Sequence, residues 1–237
     1  FTISVIANTL RSGLSFLTIL ILARSLGPER YGDFAFLMGS FIATKTLLGM
    51  GTQNAFYTFM SQKPRGGMFL AVYALWQLIQ FLLPILLITL ILPNEWVNKI
   101  WVGHDRLLVV QAFCAVFMQQ QAWYTMVQIG ESSRLTYRVQ TMNGSIALVH
   151  LLIIFGLWVT NLISLPILFT VIAVEYLVAI AVAFQVLNVS RLPKEPFDKK
   201  NVRDYVVFCS PLIIYTLMVF VHEFSDRWLL QNFGGSE

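Results

Sequence analysis

Charge is what this sequence has least of. Only 12% of its 237 residues are Asp, Glu, Lys or Arg, about half the share found in an average soluble domain, and 57% are hydrophobic. A water-facing surface cannot be assembled from so few charges, and the mean hydropathy of +0.71 agrees. Cysteine is nearly missing too. Cys114 and Cys209 lie in different apolar runs with no CxxC spacing and no ligand-bearing neighbour, so both read as small buried apolar residues rather than redox or metal groups. The formal charge of +4 does not signal a nucleic-acid partner, because the basic residues are scattered over short loops and form neither stripe nor patch. Also lacking are a GxxxxGK[ST] phosphate loop, a GxSxG elbow, an HExxH pair and any paired Cys or His ligands. The reading is therefore of a protein that is not an enzyme and uses no cofactor and no metal.

What is present is a series of seven apolar runs, each about as long as the 20 residues a helix needs to cross a bilayer core roughly 30 Å thick. They are Thr2–Ala23, Phe34 to about Met60, Met68–Leu92, Leu107–Ile129, Val139–Ile163, Leu165–Ser190 and a last one from Tyr205 onward. The second is too long for a straight crossing, and Gly49-Met50-Gly51 marks a bend within it. The chain opens within one apolar run and stops just after another, so it is read as a fragment, with no cleaved signal peptide.

Lys and Arg fix the expected orientation. The loops after runs two, four and six carry Lys63, Arg65, Arg134, Arg138, Arg191, Lys194, Lys199, Lys200 and Arg203. The loops after the other four carry Arg24, Arg30, Lys99, Arg106 and Arg227, which puts the N-terminus in the cytoplasm. Residues 1–190 then form a six-helix N-terminal lobe, 191–204 a basic cytoplasmic linker, and 205–237 the first helix of a second lobe. Run seven repeats features of run one. When Leu26-Gly27-Pro28-Glu29 is laid on Phe233-Gly234-Gly235-Ser236, Asn8, Arg11 and Ser15 fall on Tyr215, Met218 and His222, at the spacing of one helical face. A repeat after an even number of crossings is parallel, so the complete protein is expected to have two six-helix lobes and twelve or more helices.

The stretch Ala23-Arg24-Ser25-Leu26-Gly27-Pro28-Glu29-Arg30-Tyr31-Gly32 resembles the first-loop signature of the bacterial polysaccharide translocases, the O-antigen flippases of the multidrug/oligosaccharidyl-lipid/polysaccharide exporter superfamily. Asp226-Arg227-Trp228-Leu229-Leu230 with Phe233-Gly234 is similar to its counterpart after helix seven, and the Gly49–Gly51 break fits the same pattern. The resemblance implies an all-α polytopic protein of the bacterial inner membrane. It would move a polyprenyl-diphosphate-linked oligosaccharide, such as an O-antigen repeat unit of lipopolysaccharide, from the inner to the outer leaflet by alternating access. Its partners would be that lipid-linked substrate, membrane lipids and the polysaccharide polymerase machinery, with no nucleic acid.

Deep charges are the candidate site. A charge at mid-bilayer costs about 2.5–3.5 kcal/mol on insertion scales, so each calls for a reason. Arg11 lies about 20 Å along a helix from Arg24, too deep to snorkel, and shares its face with Asn8 and Ser15. The stripe reads as the wall of a wet cavity; the alternative is an Arg bonded to helix carbonyls. Lys45 is a second deep cation, and together the two suit an anion such as a diphosphate. Its alternative is a structural bridge to Glu175. Gln140, Asn143 and His150 share a polar face that could meet sugar hydroxyls or form an interhelical seam. Tyr215 completes the substrate-binding set. Among Gln119, Gln120 and Gln121 at most one or two can face a cavity, and packing is the expected role. Glu175, His222 and Asp226 are candidates for ion coupling, Glu175 as a proton or sodium site and His222 as a group that titrates near neutral pH. A drug or metabolite exporter of the same superfamily is the first alternative function. A membrane-bound glycosyltransferase or polymerase is the second, and would need a sizeable aqueous domain that these loops do not supply.

Overall fold

The computed structural model describes residues 2–62, 66–189 and 199–233, and among these every regular element is a helix. Helix α1 spans Thr2–Gly49 and α2 Thr52–Gln62; α3, Gly67–Leu86, runs on into a π-helical turn at Leu87–Ile91. A short α4, Asn94–Ile100, leads to α5, Arg106–Val116, which passes through a second π turn at Phe117–Ala122 into α6, Trp123–Ser132. Then come α7, Thr136–Val159, α8, Leu165–Val186, and α9, Lys199–Phe233. Within five of these stretches the chain is long and apolar enough to cross a membrane. Large apolar side chains such as Leu10, Leu90, Leu152, Ile214 and Met218 face outward, far more than a water-soluble surface carries. The chain is an all-α polytopic membrane protein. The fourth apolar run, broken by its π turn, is carried by the continuous rod α5–π–α6.

Interior breaks occur where the sequence can make them. The first loop expected at Ala23–Gly32 is helical except for Gly27, whose φ of 73° and ψ of 172° lie in a region open essentially to glycine alone. Pro28 restarts the helix at once, since its fixed φ suits a first helical position and its missing N–H leaves no donor unpaired there. The bend expected at Gly49–Gly51 is found: α1 ends at Gly49, Met50 and Gly51 have φ of 46° and 71°, and the Thr52 hydroxyl donates to the Gly49 carbonyl at 2.6 Å.

Aromatic packing joins the helices. Phe41 of α1 stacks on Trp101 at 5.6 Å and meets Phe113 of α5 edge-on at 5.5 Å, in a core that extends to Phe169 and Ile172 of α8. A second cluster ties α2 and α3 to α9 through Phe56, Tyr73 and Tyr205, with the Phe56 and Tyr73 rings 4.1 Å apart.

Helix α9 runs antiparallel to the second half of α1. Gln231 Nε2 donates to Asp33 Oδ1 at 3.3 Å near one end, Leu212 packs on Gly51, and the Tyr205 hydroxyl donates to the Thr52 carbonyl at the other end. It begins at Lys199, so residues 199–204, expected in a linker, form its first turns instead. Residues 191–198 of that linker, Lys63 and Arg65 of the second loop, and the turn residues Gly234, Gly235 and Ser236 lie outside the described residues.

Gly51 has two reasons to be glycine. Its φ is positive, and a Cβ there would overlap Cβ of Leu212. Gly51→Ala is therefore expected to destabilise the fold by roughly 1–3 kcal/mol, read as a lower unfolding temperature in detergent. Leu212→Ala in the same chain keeps the overlapping Cβ and should not recover the loss, whereas Leu212→Gly, which removes it, should make Gly51→Ala less costly than it is beside Leu212.

Candidate functional site

The first half of α1, the π turn between α5 and α6, and helices α6, α7 and α8 enclose a cavity of about 400 Å³. Arg11, Ser15 and Thr18 line it from α1 at the i, i+4, i+7 spacing of one face. Asn143, Ala147 and His150 do the same from α7, and Tyr176 closes it from α8. The remaining wall is Gln119, Gln120, Trp123 and Tyr124. Such a concentration of hydrogen-bonding groups inside an apolar bundle is the mark of a wet or ligand-bearing space.

The π turn aims the glutamines. It widens the helix by a residue, so the phase of the side chains slips within the run Gln119-Gln120-Gln121. Gln119 and Gln120 turn into the cavity, and Gln121 turns away to donate to Gln80 Oε1 at 3.1 Å. At most one or two of the three were expected to face a cavity, with packing the preferred role; two line it and Gln121 packs. Side-chain amides from other helices hold this turn. Gln53 of α2 donates to the carbonyls of Gln120 and Gln121 at 3.2 and 3.4 Å, and Gln128 Nε2 donates to the Gln53 carbonyl at 3.0 Å. Arg106 acts likewise on the other π turn, donating to the carbonyls of Thr89 and Leu92 at 2.7 and 2.6 Å.

Polar contacts within the wall are sparse and specific. Trp123 Nε1 donates to Asn143 Oδ1 at 3.0 Å, and Gln119 Nε2 to the Tyr176 hydroxyl at 3.4 Å. His150 Nδ1 lies 2.6 Å from Glu175 Oε2. Arg11 has no ion-pair partner among the described residues.

A family model described as polysaccharide biosynthesis protein matches residues 1–237. The chain belongs to that family. It is the family of the O-antigen and polysaccharide flippases that the Ala23–Gly32 motif resembles, and the protein is accordingly a membrane component of polysaccharide biosynthesis. Neither the curated proteins nor the solved structures give a match.

In this polysaccharide biosynthesis protein the cavity gathers Arg11, Ser15, Asn143 and His150 of the expected substrate-binding set. The others stand elsewhere. Asn8 is exposed one turn beyond the cavity, Gln140 is half-buried one turn before Asn143 without lining the space, and Tyr215 is exposed on α9. Lys45 does not join Arg11: it lies on the second half of α1, outside the cavity lining, and the carboxylate whose charge acts on it is Glu223 of α9. The alternative of a bridge from Lys45 to Glu175 is not found either, because the sequence alone does not reveal which helices adjoin. Glu175 is held by His150, not by a lysine. His222 and Asp226 are exposed on α9, while Glu223 between them is half-buried with Oε2 lacking a hydrogen-bond partner.

Sequence reasoning did not name Thr18, Trp123, Tyr124 and Tyr176 for the site, and it weighed Gln119 and Gln120 without saying which glutamine would face it. Thr18 continues the Arg11–Ser15 face by one more turn and could have been found from that period. The glutamines could not, since a regular helix and a π turn present them differently.

Gln53→Leu keeps the size of the side chain and removes the amide that supports the π turn. The expected result is a loss of about 1–3 kcal/mol, measured as earlier thermal unfolding in detergent with unchanged helical circular dichroism at low temperature.

Proposed function

We propose that this protein is a flippase that carries a polyprenyl-diphosphate-linked oligosaccharide, an O-antigen or related repeat unit, across the bacterial inner membrane by alternating access. The observation that carries the reading is Arg11: a guanidinium without an ion-pair partner among the described residues, on the wall of a polar cavity, in a chain of the polysaccharide biosynthesis family. About 24 Å of helix separates it from the break at Gly27, so it stands deep in the bilayer, where an unpaired cation is costly. A ligand that brings negative charge removes that cost. A diphosphate suits the planar fork of Arg. Asn143, Gln119 and Gln120 offer amides to hydroxyls, and Trp123 and Tyr124 offer ring faces to a sugar. At about 400 Å³ the cavity has room for the diphosphate and the sugar next to it, with the prenyl chain left in lipid.

On this reading the six apolar runs before residue 190 form one lobe, α9 opens a second, and the two rock about the cavity. The excess of Lys and Arg in the even-numbered loops supports a cytoplasmic N-terminus. Binding and release need no covalent step by the protein, which supports a transporter and not an enzyme. The polysaccharide polymerase machinery would take up the product on the far side.

The test is complementation. The full-length gene is expressed in a bacterium lacking its own polysaccharide flippase, and surface glycan is scored alongside the amount of protein in the membrane. Wild type should restore glycan and Arg11→Ala should abolish it at equal membrane abundance, with Arg11→Lys retaining part. Full export by Arg11→Ala would remove the cavity from the mechanism.

A further inference from the structure

One feature of the cavity is idle in a simple anion site: the acid–base pair on its wall. His150 on α7 and Glu175 on α8 approach to 2.6 Å, with side chains only 21% and 9% exposed. Glu175 Oε1 is buried and has no hydrogen-bond partner. His150 also lines the cavity itself, so the pair communicates with whatever fills it. Few charges face it. From α1 comes Arg11, from α8 and α6 the uncharged phenols of Tyr176 and Tyr124, and from the π turn only the neutral amides of Gln119 and Gln120. Arg11 and Glu175 both act electrostatically on the Tyr176 hydroxyl, which puts both charges within reach of one cavity-lining phenol.

We infer that the His150–Glu175 pair is a proton site linked to anion binding, so that the cavity takes up one proton when an anionic head group enters. The inference rests on the reading of the cavity as an anion site. With Glu175 ionised and His150 neutral, the pair carries one negative charge, Arg11 one positive, and the cavity as a whole none. One added proton makes the pair neutral overall and leaves Arg11 uncompensated, which favours a phosphate. Linkage is reciprocal, so the bound phosphate favours the proton to the same degree. The short contact gives the proton a place, shared between Nδ1 and Oε2, without exposing a bare charge to lipid. A sodium or other metal ion is a poorer occupant. Hard cations take several oxygen ligands, and with Oε2 engaged by His150 the Glu175 carboxylate has only Oε1 left to give one.

The experiment uses full-length protein in lipid nanodiscs and a short-chain prenyl-diphosphoryl monosaccharide, a diphosphate diester whose two phosphates stay ionised throughout the neutral range. Calorimetric titration in two buffers of different ionisation enthalpy counts the protons taken up, and repetition across pH gives the affinity at each. For wild type, the expected result is uptake approaching one proton and a Kd that rises as pH is raised, by up to about tenfold per unit for a single linked proton. Glu175→Gln and His150→Gln should bind with no pH dependence and no uptake, and ¹⁵N-histidine spectra should show the His150 ring titrating differently in Glu175→Gln. Binding by wild type without proton uptake overturns the inference and leaves the anion cavity standing. Binding that survives Arg11→Ala unchanged, or no binding by wild type at any pH, overturns the anion cavity and the linkage with it.

Discussion

A peptide group that leaves the helical ladder inside a bilayer has no water to turn to, and this constraint organises the whole chain. The interior breaks described above each come with a local remedy. At Gly27 the next residue is a proline, which has no N–H to strand. At Met50–Gly51 the Thr52 hydroxyl reaches the Gly49 carbonyl. At the π turn ending α3, Arg106 supplies two donors to carbonyls; at the π turn between α5 and α6, Gln53 does. The polar residues of the membrane interior are thus of two kinds: those that repair the backbone and those that face the cavity. Charge or polarity in an apolar run does not by itself say which kind a residue is.

That ambiguity explains what was legible in the sequence. The seven apolar runs, the break at Gly49–Gly51 and the Arg11–Ser15 face were all readable, because bilayer thickness fixes helix length and helical period fixes which residues share a side. Asn143 and His150 were readable for the same reason. Two things were not. The π turn slips the register inside Gln119-Gln120-Gln121, and nothing in the letters marks a π turn as against a regular one. Pairing across helices was also hidden: Glu223 is the carboxylate acting on Lys45, and Glu175 is bonded by His150, whereas the sequence put Lys45 beside Arg11 with a bridge to Glu175 as the alternative. The loop at Ala23–Gly32 was drawn too long for a related reason. One glycine with the right φ and ψ ends a helix, and a following proline starts another, so no further loop residues are required.

The distribution of charge over α1 follows from its neighbours. Its second half lies along α9, where Glu223 stands opposite Lys45 and a half-buried cation has a counter-charge. Its first half lies along α7, which contributes Asn143 and His150 to the cavity but no carboxylate, and the acid of α8 is already engaged. Arg11 is left with solvent or a ligand as its compensation. Helix α1 therefore carries one deep cation with a counter-charge and one with no ion-pair partner among the described residues, on either side of the break at Gly27.

This arrangement bears on the choice between an exporter of cationic compounds and a carrier of anionic lipids. A cation exporter needs an acid that is available in its cavity, and the one acid beside this cavity offers only Oε1, since Oε2 is bonded to His150. Turning the carboxylate toward a drug would leave His150 without its partner and add nothing to offset Arg11. An anion meets the opposite situation. It finds a guanidinium not already claimed, amides positioned by the π turn, and an acid whose negative charge is held by a base that can keep it neutral overall. The arrangement suits the anionic lipid of the proposed function, with proton uptake by the His150–Glu175 pair completing the match.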